Sequence, residues 1–173
     1  MMFPPLPEWR AIHPLVVHFP IALLLIAPLF VVIGALRQPG RGYPFMVSAL
    51  LVMVLGTVSI YVAASSGQAA RYEARNTPQI QAVLDEHEEL AETTEIAFTV
   101  LTLIFASIVF LPRAFKQNPN RAISTVLPLV FLVFYAAGAV SLANSAHQGG
   151  RLVHELGVTA HFPRALTTPA VER

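Results

Sequence analysis

The chain has 173 residues, of which 55% are apolar and only 12% charged, with a net charge of +1 and no cysteine. A charged fraction about half that of ordinary domains excludes disorder and points away from a soluble globule. The absence of cysteine excludes disulfide scaffolds, zinc fingers, Cys-held iron–sulfur clusters and covalent c-type haem, and the near-neutral balance leaves no electrostatic footprint for nucleic acid.

In chain order, residues 1–14 carry Glu8, Trp9 and Arg10, a flank that lacks the basic cluster of a cleavable signal. Trp9 beside Arg10 is expected to anchor at a membrane interface. Three stretches of 22 residues, 15–36, 44–65 and 122–143, and one of 17, 96–112, contain no Asp, Glu, Lys or Arg. Twenty-two helical residues reach about 33 Å, enough to cross the hydrocarbon of a bilayer. The sequence therefore predicts a polytopic all-α membrane protein with four spans in one domain, residues 1–161, followed by a Pro- and Thr-rich tail, 162–173, that could dock a partner.

Orientation follows from the connections. The segments 37–43 and 113–121 carry Arg37, Arg41, Arg113, Lys116 and Arg121 and no acid, whereas all ten acids lie on the other side. The basic connections are expected to be cytoplasmic, so that both termini are periplasmic in a bacterial inner membrane. Such short connections make spans one and two, and spans three and four, antiparallel neighbours in an up-down four-helix bundle. Thr77 can cap a helix opened by Pro78 that runs without Gly or Pro into the third span. The fourth helix is expected to pass its apolar stretch and stop at Gly149 and Gly150. Helices three and four would thus stand out on the outer side. Small residues recur every four positions at Ser59, Ala63 and Gly67, and again at Ala137, Ser141 and Ser145. Close helix packing explains such stripes, and so does room for a flat ligand between helices.

Histidine carries the chemistry. His13, His18, His87, His147, His154 and His161 all fall on the outer side. His18 lies within an apolar run, where an unpaired imidazole is costly; alternatively it bonds a carbonyl freed by Pro20. Imidazole ligates haem iron, copper and zinc. Diagonal helices of a square bundle lie about 11–14 Å apart, wide enough for a macrocycle edge-on. Span one is diagonal to span three, so His18 or His13 facing His87 forms the natural bis-histidine pair for a b-type haem. His13 and His18 differ by about 140° around a helix, so one of them could face His147 and hold a second haem. Two haems are accordingly expected. Arg71, Arg75 and Arg151 could hold propionates, or pair instead with Glu73 and the acids around His87. A His-only copper or zinc site, with Glu86, Glu88 or Glu89 added, competes with haem. No hydrolase elbow, phosphate loop, dinucleotide fingerprint or His-Glu-x-x-His motif is present.

The strings HPLVVHFPIALL (13–24) and HQGGRLVHELGV (147–158) resemble the end motifs of a family of four-span bacterial membrane proteins catalogued as a domain of unknown function. The resemblance covers about residues 11–158 and places the shared histidines at His13, His18, His87 and His147. At His154 relatives usually carry Tyr. Relatives often lie beside, or are fused to, c-type cytochrome or Rieske-type domains, which implies electron transfer at the outer face within a larger respiratory complex. The leading expectation is a haem-carrying electron-transfer subunit rather than a stand-alone enzyme. The alternatives are a cofactor-free structural subunit and a metal-handling protein. Transport is disfavoured, because no charged residue lies within a span on the inner half.

Overall fold

Proline interrupts the first span by withdrawing a backbone donor. The computed structural model describes residues 8–37, 39–71, 77–116 and 120–158. A 3₁₀ turn (Trp9–Ala11) leads into the one-turn helix α1 (His13–Val16) and, after Val17, into α2 (His18–Leu36). Pro14 sits in the first turn of α1, where a missing N–H costs nothing. Pro20 cannot donate to the Val16 carbonyl one turn earlier, and the helix breaks between them. The remaining helices are α3 (Pro39–Arg71), α4 (Pro78–Ala114) and α5 (Arg121–His154). Thr77 caps α4 as its sequence position suggests, its hydroxyl accepting from the Ile80 N–H at 3.4 Å. The C-terminal tail lies outside the described residues.

Three boundaries differ from the sequence expectation. α3 starts at Pro39, so much of the connection 37–43 is itself helical, with a proline in the first turn as the opening residue. The same helix runs on to Arg71, and it therefore extends past its apolar stretch as α4 and α5 do. α5 does not end at Gly149 and Gly150 but continues to His154. The reversal comes instead at Gly157, whose φ of +66° is the left-handed conformation that glycine adopts freely. There the Leu156 N–H bonds the Arg151 carbonyl at 3.1 Å and the Val158 N–H bonds that of Leu152 at 2.9 Å.

The four long helices close a square: α2 packs on α3, α3 on α4, α4 on α5, and α5 back on α2. The first span is thus diagonal to α4. At the end joined by the 37–43 connection α2 and α3 cross closely, because a Cβ on Gly42 would run into the Gly34 carbonyl oxygen. Leu24, Ala27 and Val31 of α2 are buried against Ala49 and Met53 of α3 and the ring column of Phe98, Phe105, Phe131 and Tyr135. Phe98 meets Tyr135 edge-on at 5.3 Å, and Phe105 lies 4.9 Å from Phe131. Hydroxyl pairs join neighbouring helices: Thr57 with Thr102 and Thr94 with Ser141, each at 2.9 Å. Outside, the usual pattern is inverted. Leu25, Leu29, Leu51, Leu55, Leu103, Val133 and Phe134 are each more than half exposed, forming a belt suited to lipid. Beyond that belt a small second core forms from Ile80 and Val83 of α4 and Leu152 of α5.

The two kinds of glycine give a direct test. Gly42→Ala should lower stability by about 1–3 kcal/mol through overpacking. Gly150→Ala, at a helical site with nothing within 4 Å, should raise it by about 0.5–1 kcal/mol. Thermal unfolding followed by the helical circular dichroism signal in detergent measures both, and equal effects would contradict the packing described.

Candidate functional site

Two histidines are held by the same device on the two hairpins of the bundle. His13, at the start of α1, reaches α3, and its Nδ1–H donates to the Ala63 carbonyl at 2.8 Å. Four residues after that carbonyl comes Gly67, and a Cβ there would lie 2.9 Å from His13 Cε1. His87, on the part of α4 that precedes the apolar span, reaches α5, and its Nδ1–H donates to the Ser145 carbonyl at 2.9 Å. Four residues on is Gly149, where a Cβ would lie 3.4 Å from His87 Cε1. In each hairpin the first helix supplies an imidazole, and the second supplies a carbonyl with a glycine one turn later beside the ring; at Gly67 the approach is too close for a Cβ.

The hydrogen bonds fix the tautomers. A carbonyl oxygen only accepts, so Nδ1 carries the proton on both rings, and in the neutral imidazole Nε2 keeps its lone pair. Buried Ser66 reinforces His13: its hydroxyl donates to the Ala63 carbonyl at 2.9 Å and its oxygen lies 3.2 Å from His13 Nδ1. Among the described residues, neither Nε2 has a hydrogen-bond partner.

Both rings line one cavity of about 520 Å³ at the end of the bundle away from the 37–43 connection. They line it from opposite corners of the square. The walls are mostly small or apolar, including Ala63, Ala64, Ala91, Ala146, Val17 and Ile21. Polar groups enter mainly from α4, through Glu88, Glu92 and Glu95, and from the last turn of α3, through Arg71. Arg71 ties α3 to α4 by pairing with Asp85 at 2.5 Å and with Glu88.

The other sequence candidates lie elsewhere. His18 is exposed at the start of α2, and His147 is exposed on α5; neither lines the cavity. His154 is exposed at the end of α5. Arg151 bonds the Gln148 side-chain oxygen at 2.8 Å and Glu155 at 3.2 Å, away from the cavity lining. Arg75 and His161 lie outside the described residues, as does Glu73. Among the described residues, no three His, Asp or Glu side chains gather in a way that could hold a metal ion, so the copper or zinc polyhedron completed by Glu86, Glu88 or Glu89 is not assembled. Sequence reasoning missed Ser66 and the two ring-side glycines as supports. The signal was present as small residues at i, i+4, namely Ala63 with Gly67 and Ser145 with Gly149, but the second glycine read as a helix stop.

A family model described as "predicted membrane protein (DUF2231)" matches residues 10–161, which includes all four long helices and both cavity histidines. The chain belongs to this family. No curated protein and no solved structure matches it. As a DUF2231 member with four helices long and apolar enough to span a bilayer, it is a membrane protein. The exposed belt of Leu, Val and Phe side chains is then its lipid contact.

The tautomer assignment is open to measurement. Ring ¹⁵N spectra of histidine-labelled protein should show Nδ1–H for His13 and His87, with those signals removed by His13→Ala and His87→Ala. An Nε2–H tautomer on either ring would contradict the carbonyl hydrogen bonds.

Proposed function

We propose that the cavity binds one b-type haem between His13 and His87, and that the protein passes single electrons between a membrane oxidoreductase or the quinone pool and a carrier at the outer face. The observation that carries this reading is the matched pair of imidazoles. Each has its Nδ1–H committed to a carbonyl and its Nε2 lone pair left without a partner among the described residues. Metal-ligating histidines are typically oriented in this way, the second nitrogen donating to a carbonyl or carboxylate. Two donors alone cannot complete a closed four-ligand zinc site, whereas a porphyrin provides four ligands and asks the protein for two. A cavity of about 520 Å³ falls within the usual range for cofactor sites, roughly 300–1,000 Å³.

Haem, when bound, would supply a one-electron couple tuned by its axial ligands and burial. The chain's own residues do the rest. Ala63, Ser66 and Ser145 orient the imidazoles; Gly67 and Gly149 give the rings room; Ile21, Ile60 and Leu142 keep water from the inner end of the cavity. Arg71 is the only cation lining the cavity among the described residues, and its partner Asp85 is well exposed. Arg71 could therefore exchange that partner for a propionate at the mouth. His18 and His147 are not ligands in this reading, which reduces the two haems expected from sequence to one.

The basic end, holding Arg37, Arg41, Arg113, Lys116 and Arg121, supports a cytoplasmic inner face, and so a bacterial inner membrane with both termini and the cavity on the periplasmic side. A c-type cytochrome or Rieske-type protein there would be the fitting carrier. Reporter fusions after Arg41 and Arg173 should report opposite sides of the membrane, and a cytoplasmic signal from the second would reverse the orientation.

Purified protein should show a low-spin haem spectrum that changes on dithionite reduction, with one haem per chain by pyridine haemochrome. His13→Ala and His87→Ala should each abolish the low-spin form, while His18→Ala and His147→Ala should leave it intact. Gly67→Ala, which drives a methyl into the His13 ring, should deplete haem more than Gly149→Ala, whose methyl meets the His87 ring at ordinary contact distance. Absence of a Soret band in protein from haem-replete cells, or normal spectra in both ligand variants, would sink the reading.

A further inference from the structure

The end of the bundle opposite the histidines holds cations with no internal counterion. No Asp or Glu occurs between Glu8 and Glu73, or between Glu95 and Glu155, so no carboxylate lies in the sequence around Arg37, Arg41, Arg113, Lys116 and Arg121. All five side chains are exposed, and among the described residues none has an acidic partner. Two of the guanidiniums are nevertheless held in place by aromatic faces on α3. Arg113 of α4 stacks over the Tyr43 ring at 3.0 Å, and Arg37, just after α2, lies over Phe45 at 4.6 Å.

Held over a ring and making no hydrogen bond to any described residue, the Arg113 guanidinium keeps N–H groups free for the paired hydrogen bonds by which arginine binds phosphate. The surroundings of Arg113 indicate where that phosphate comes from. Exposed Phe110, Leu111 and Phe115 flank it on α4, apolar surface that a soluble anion cannot use but acyl chains can. The site thus sits where the apolar belt gives way to charge, at headgroup height. We propose that the seam between α3 and α4 at Arg113 and Tyr43 is a binding site for an anionic phospholipid, its phosphate on the Arg113 fork and its chains along Phe110 and Leu111. Arg37, Arg41, Lys116 and Arg121 supply the surrounding positive field. The site is independent of whether the opposite end binds haem.

Native mass spectrometry of the detergent-purified chain titrated with phosphatidylglycerol or phosphatidylcholine tests this. Phosphatidylglycerol should be retained about fivefold more strongly, the scale of one well-placed basic residue at a membrane surface. Arg113→Gln should bring it down to the phosphatidylcholine level, and Arg113→Lys, which keeps the charge but loses the fork, should fall between. If Arg113→Gln fails to fold, Tyr43→Leu, which releases the guanidinium from its stack, should show the same loss. Equal retention of the two lipids, unchanged preference in the variants, or displacement of phosphatidylglycerol by inorganic phosphate would each overturn the proposal.

Discussion

A backbone carbonyl freed inside a bilayer has no water to turn to, and the bundle is built around answering that demand. Pro28 lies in the middle of α2 and cannot donate to the Leu24 carbonyl one turn earlier. The buried Tyr135 hydroxyl donates to that oxygen at 2.7 Å, from α5. One missing N–H thereby becomes a tie between the first and last spans, and Tyr135 in turn sets the edge-on contact with Phe98. The Ala35 carbonyl, in the last turn of α2, is met from α5 by the Thr125 hydroxyl at 3.0 Å. With lipid as apolar as leucine, such bonds and close small-residue contacts take over the role that hydrophobic burial has in water.

The same rule positions the imidazoles. His13 and His87 each satisfy one ring nitrogen on a carbonyl of the neighbouring helix with a glycine one turn on, and beside His13 that glycine leaves no room for a Cβ. Because the arrangement repeats on the two hairpins, the rings converge from opposite corners on the space between them. His18 shows why proximity in sequence was a poor guide. The break at Val17 resets the helix, leaving His13 on the short α1 turned toward α3 and His18 exposed on α2.

Much of the architecture could be read in advance. Uncharged runs of 22 residues leave little but a membrane helix, and two short connections leave little but an up-down bundle. The Thr77–Pro78 start of α4 was equally legible, because capping chemistry is local. What was not legible depends on tertiary contact. Gly149 and Gly150 read as a stop by local propensity, yet packing against His87 and α4 carries α5 through them to a true left-handed glycine at Gly157. Likewise, nothing local distinguishes His13 from His18. The choice between them rests on which residue faces Ala63 and Gly67, some fifty positions away, and on a kink set by Pro20.

A cofactor-free role for the two histidines would have to explain the nitrogen left over. A side chain serving only to tie helices does best when all its polar atoms are used, as with the Thr57–Thr102 and Thr94–Ser141 pairs, where one hydroxyl answers another. Both rings are half-buried, and twice, at one cavity, the same nitrogen is left without a partner among the described residues. Serine or threonine could bond the Ala63 carbonyl without demanding a glycine at position 67. Imidazole adds a second nitrogen, held at a fixed tautomer and directed away from the carbonyl by the ring itself. The repeated glycine is a cost, since it weakens α3 and α5 where alanine would serve a plain helix better. The arrangement is intelligible if the two nitrogens share something to bind, and a ligand that takes an imidazole from each hairpin is the chemistry that matches.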